Sequence, residues 1–151
     1  MHFYDEDRKR YVEIIADLIV QVSTLNEWAD RLCQSSNALS RPPMLGYDLP
    51  LNIRSNIEEN TLRDVRREKN NATATKDLME RLDTVAERVD APSAPYTLVN
   101  LLAALLNWHE SQFLTQAVSL KCYSADALRD LTTIRTEVLH VWSTAGRRHF
   151  E

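Results

Sequence analysis

The chain has 151 residues, 44% of them hydrophobic and 26% charged, with a net charge of −4. That length suits one domain, the apolar and charged fractions suit a chain with a core and exclude wholesale disorder, and the acidic balance excludes a nucleic-acid binder that works through its whole surface. Only two glycines, Gly46 and Gly146, are present. They are too few for the turns of an all-β fold or for a glycine-rich phosphate loop.

A first helix is expected from Asp5 to about Ala38. Asp5, Glu6 and Asp7 place negative charge where the helix dipole favours it. The apolar series Tyr11, Ile15, Leu18, Val22, Leu25, Ala29, Leu32 has alternating spacings of 4 and 3, the heptad seam of antiparallel packing. Ile14, Ile19, Trp28 and Cys33 widen that stripe, so more than one neighbour is needed. Residues 40–54 form the main loop, since Pro42, Pro43, Gly46 and Pro50 forbid a helix. Met44, Leu45 and Tyr47 make this loop apolar. It reads either as a partner-binding segment or as a cover over one end of the core.

Ser55-Asn-Ile-Glu58 is a capping-box pattern that starts a second helix, running to about Asp90. Its apolar positions are Ile57, Leu62 and Val65, then Leu78, Leu82, Val85 and Val89. The polar stretch around Asn70 to Ala74 has weak helical propensity and predicts a bend or break. Asp90-Ala-Pro-Ser-Ala-Pro95 stops that helix. A third helix is expected from Pro95 to about Leu120, apolar nearly all round over Leu98–Leu106. Lys121 to Tyr123 then turns the chain, and Ser124 caps a fourth helix to about His149. Its core stripe combines Leu128, Leu131, Ile134, Val138, Val141, Trp142 and Ala145. The sum is an all-α, antiparallel up-down-up-down four-helix bundle in a single domain.

Most candidate chemistry in this pattern is incomplete. Cys33 and Cys122 have no CxxC spacing and cannot supply a zinc site, so two reduced, largely buried thiols are expected. His109 has no second histidine three or four residues away. Glu137-x-x-His140 has the spacing of di-metal bundles but no second copy. Asp77, Glu80, Asp83, Glu87 and Asp90 lie nearly opposite the apolar stripe and should face water. No cofactor and no metal are expected. Arg63, Arg66 and Arg67 form a basic cluster suited to an anionic partner, such as a phosphate backbone in a nucleoprotein complex. Glu58, Glu59, Asp64 and Glu68 are interleaved with it, which is the pattern of an ordinary charged face.

Arg135-Thr-Glu-Val-Leu-His140, followed by Val141 and Trp142, is an R-x4-H-x-aromatic pattern. It resembles the signature of HEPN domains, small helical bundles that include dimeric, metal-independent RNases of toxin–antitoxin systems. The resemblance implies that Arg135 would hold the scissile phosphate and His140 would assist attack by the RNA 2′-hydroxyl. Thr136 stands where that family usually carries Asn or Asp, and Trp142 where it usually carries tyrosine. Five residues separate Arg135 from His140 by about 140° around a helix, so a site would need two copies of the chain.

The leading expectation is a non-enzymatic interaction protein (an adaptor, inhibitor or assembly subunit) that works through helix faces and the 40–54 loop. Long heptad stripes favour a homodimer. The N-terminus MHFYDEDRKR lacks the apolar run of a signal peptide, and Leu98–Leu106 is too short to span a bilayer. A cytoplasmic, membrane-free location is therefore expected.

Overall fold

In the computed structural model the backbone is described for residues 3–40, 51–108 and 113–150, and side chains for 5–34, 59–60, 62–108 and 116–144. Four helices follow in order: α1 (Phe3–Ser40), α2 (Leu51–Val89), α3 (Tyr96–Leu106) and α4 (Phe113–Phe150). No strand occurs among the described residues.

The seam on α1 organises the bundle. All seven of its heptad residues, Tyr11 to Leu32, are buried, as are Ile14 and Trp28. Removing each large aliphatic side chain from water contributes roughly 1.5–3 kcal/mol. The widened stripe serves two neighbours, because α1 packs along both α4 and α2, and α3 bridges between α2 and α4. The pairings are antiparallel. Asp7 meets Arg88 at 3.8 Å and Gln21 meets Thr75, so the start of α1 lies against the end of α2. Tyr11 meets Trp142, and Asp30 meets Lys121 at 2.7 Å, so α4 also runs opposite to α1. Thr97 donates to Asp130 at 2.8 Å, while Asn107 and Trp108 lie beside Gln116 and Leu120. The topology is therefore up-down-up-down, as the sequence predicts.

The boundaries differ in instructive ways. First, α2 begins at Leu51, directly after Pro50 in the sequence, and Ser55 is inside it. Second, α2 does not break at 70–74. Ala72 and Thr75 are buried there, and Thr75 is hydrogen-bonded to the Gln21 side chain. Tertiary contact outweighs the low propensity of the Asn/Thr run. Third, α3 stops at Leu106 instead of Leu120, and its buried residues are Leu98, Leu101, Leu102 and Leu105. Tyr96 and Val99 on its outer side are exposed, so the helix is buried on one side only.

Fourth, α4 runs straight through Lys121–Tyr123. The sequence carries a signal for this: Ala117, Leu120, Ser124, Ala127, Leu131, Ile134 and Val138 recur at spacings of 3 and 4. All of them are buried except Ile134, which is half-buried against the core. Ser124 is thus a core residue and not a cap. Its hydroxyl donates back to the Lys121 carbonyl at 3.0 Å and accepts from the Asn26 amide at 2.9 Å. The same amide donates to the Lys121 carbonyl at 3.2 Å. Val141, assigned to the core stripe by pattern, is instead exposed.

The α2–α3 connection is tied down at both ends. Asp90 takes a positive φ of 53° that ends α2, a conformation Asp tolerates better than most residues. Asp83 accepts the Ala94 N–H at 2.8 Å, and the Tyr11 hydroxyl donates to the Pro92 carbonyl at 2.6 Å.

Asn26 is the polar clasp between α1 and α4. Replacing it by alanine leaves the buried Ser124 hydroxyl short of a donor, at a cost of about 1–2 kcal/mol. Chemical denaturation of Asn26→Ala should show a lower midpoint with an unchanged slope. A midpoint equal to that of the native chain would remove Asn26 from this role.

Candidate functional site

Arg135 and His140 both stand exposed on α4. Arg135 makes no ion pair or hydrogen bond among the described residues. Leu131 and Val138 point α4 into the bundle, which places Arg135 on the edge facing α1 and His140 on the outer side. One chain does not bring them together. The aromatic of the same motif, Trp142, has packing to do. Its ring meets Tyr11 edge-on at 5.6 Å, and the Arg8 guanidinium lies 5.4 Å from its centroid. That cation–π contact and the aromatic pair fasten the end of α4 to the start of α1.

The basic cluster is on the surface of α2. Arg63, Arg66 and Arg67 are all exposed. Arg67 pairs with Asp64 at 3.2 Å and lies 3.6 Å from Glu68. The interleaved acids therefore offset part of the cluster's positive charge. Met44, Leu45 and Tyr47 of the expected partner loop, together with His109, lie outside the described residues. Most of the acidic stripe on α2 faces water as its periodicity predicts, and only Asp83 is half-buried. Among the described residues no group of His, Cys, Asp or Glu is placed to hold a metal ion, and no helix is long and apolar enough to cross a membrane.

The thiols are less buried than the composition suggests. Cys122 is exposed and Cys33 half-buried, and both are free. Desolvation pushes the Cys33 thiol up, with Lys121 opposing the shift. The Lys121 ammonium is itself held above its ordinary value by its hydrogen bond to Asp30. Asp130 is held below the usual carboxylate range, chiefly by the Thr97 hydroxyl.

One cleft has no counterpart among the sequence motifs. It opens between α1, α2 and α3 with a volume of about 200 Å³, and its walls include Gln21, Leu25, Glu68, Thr75, Leu102 and Leu105. Glu68 is only 8% exposed. Its carboxylate has one partner among the described residues, the exposed Arg67, at the long distance of 3.6 Å. The signal was in the register. Val65, Glu68, Ala72 and Thr75 follow one another at spacings of 3, 4 and 3, so two polar residues occupy seam positions of α2. Glu68 therefore belongs to the packed side of α2 and not to its outward charged face. A second hollow, about 390 Å³, lies between α3 and α4 beside Trp108 and Tyr123. The Trp108 ring packs on Trp28 at 5.8 Å. Its indole N–H has no acceptor among the described residues.

No protein-family model, no curated protein and no solved structure matches the chain.

The Tyr11 phenol gives this end of the bundle a pH signature. Burial, with a smaller push from Asp83, raises it to about 12, against an unfolded value of about 10. A raised pKa means that the folded state holds its proton longer, so its stabilising effect is intact below pH ~10 and is lost as pH climbs to ~12. In an ultraviolet titration of the five tyrosines, one phenol should ionise late, and Tyr11→Phe should abolish that late phase.

Proposed function

We propose that the chain is a non-enzymatic helical interaction module, an adaptor, inhibitor or assembly subunit, that pairs with a second copy of itself along α4. The supporting observation is a mismatch of lengths. With 11 residues in α3 and 38 in α4, at about 1.5 Å per residue α3 reaches roughly 16 Å and α4 roughly 57 Å. The Thr97–Asp130 bond marks where α3 begins along α4. Past that point Ile134, Val138 and Val141 continue the apolar edge at spacings of 4 and 3, without α3 beside them. Val138 is buried and Ile134 half-buried, but Val141 is 59% exposed.

A helix from another chain would complete the packing that α3 supplies further along. Covering Val141 and the rest of Ile134 would contribute up to about 1–3 kcal/mol for each side chain. In sedimentation experiments the native chain should behave as a reversible dimer, and Val141→Glu should weaken that dimer at least about tenfold, equivalent to 1.4 kcal/mol. Leu139→Glu, on the opposite edge of α4, should leave it unchanged. A native chain that stays monomeric at roughly 100 μM, a weak affinity by protein–protein standards, would defeat the reading.

A second reading rests on a different edge. Exposed Arg135, with no partner among the described residues, is a cation available to a phosphate. Leu139 beside it, 41% exposed, offers an apolar contact through which two copies could bring two Arg135 and two His140 together. That arrangement is what the HEPN-like motif requires for metal-independent RNA cleavage. Here Leu139→Glu, not Val141→Glu, would impair the site. RNA cleavage in the presence of a chelator should fall about 10²-fold or more in both Arg135→Ala and His140→Ala. Full activity in either variant would rule this chemistry out.

A further inference from the structure

The cleft between α1, α2 and α3 holds a carboxylate that the protein does not neutralise well. Glu68 is nine-tenths buried, yet its counter-charge is Arg67, an exposed neighbour on the same helix at 3.6 Å. With no hydrogen bond from the described residues, this carboxylate is stabilised by any donor that reaches it with charge. Arg67 divides its guanidinium between Glu68 and Asp64. Among the described residues Glu68 is also the one charged group lining the cleft.

The remaining walls define the shape of a ligand. Leu25, Ala72, Leu102 and Leu105 form an apolar floor, and all four are buried. Asn71 offers a side-chain amide that has no partner among the described residues. Thr75 and Gln21 hold each other, so that wall is already set. An opening edged by Val20 and Ala74, both exposed, leads in from solvent. One negative charge, one amide and an aliphatic floor in about 200 Å³ match a small monocation with a short hydrocarbon body.

We propose that this cleft binds a primary alkylammonium group, with Glu68 as its counter-ion and Leu102 and Leu105 against its chain. The ammonium nitrogen, with three donors, suits a carboxylate plus an amide oxygen. The site is separate from the α4 edges, and its occupation does not depend on dimer formation.

Methyl NMR of the full chain during titration with n-pentylammonium chloride tests this. Saturable shifts are expected at Leu102 and Leu105, with an affinity near 1 mM, on the order expected of so small a ligand. n-Pentanol, of the same length but uncharged, should bind at least about tenfold more weakly, as should n-pentylammonium to Glu68→Gln. Ala74→Trp alters only the exposed rim, and it should block the cleft without disturbing the core. Equal binding of the alcohol, undiminished affinity in folded Glu68→Gln, or no saturable shift at these methyls would each overturn the proposal. If Glu68→Gln loses its helical circular dichroism, Ala74→Trp decides: binding lost upholds the site, and binding unchanged overturns it.

Discussion

Burial of the heptad seam of α1 is the constraint on which the rest of the molecule is built. The helix has two long partners and little direct contact with α3, so its stripe must be wide enough to serve both sides. Tyr11, Ile15 and Leu18 at one end and Ala29 and Leu32 at the other are withdrawn from water together. This ties the two ends of the bundle to one rod. The polar contacts then fix registry more than they add stability. Asp7 with Arg88 and Asp30 with Lys121 each join an exposed cation to a half-buried acid at the surface and are of small energetic weight. The Asn26 clasp on Ser124 is buried enough to penalise a slip of α4 along α1.

The short α3 has consequences at both of its ends. Where it is present, its leucines close the core and form one wall of the Glu68 cleft. Before its first turn, the Pro92 and Ala94 connection is pinned by Tyr11 and Asp83, and α4 continues without α3 at its side. The uncovered Val141 edge arises where three long helices meet a fourth element too short to match them. A bundle of equal helices would have buried Val141.

Two surfaces of α4 now carry separate functional readings. The edge with Val141 continues the line of Ile134 and Val138 past the start of α3, the feature behind the proposed pairing. The edge with Arg135 and Leu139 carries a cation without a partner among the described residues, and it suits an anionic ligand. Trp142 belongs to neither reading. It is held by Tyr11 and Arg8, and its place in the R-x4-H-x-aromatic pattern coincides with a plain packing role.

Much of the fold was legible from spacing alone. The α1 series is buried residue for residue, and the all-α antiparallel topology follows from glycine scarcity and four apolar stripes, since period and composition are local properties of a chain. What spacing left undecided is where a stripe finds a neighbour. Lys121 to Tyr123 resembled a turn because Ser124 resembled a cap; the buried line from Ala117 to Leu131 carries α4 through it, and Asn26, distant in sequence, satisfies that serine in the core. The Asn/Thr stretch of α2 looked breakable until Gln21 met Thr75. Val141 fitted the core pattern and is exposed because α3 is short. Glu68 sat on the seam in plain register, but its burial is a product of α1 and α3 closing over α2. The sequence by itself determined periodicity and polarity; the tertiary structure decided burial, because removing a group from water requires surfaces that only distant segments supply.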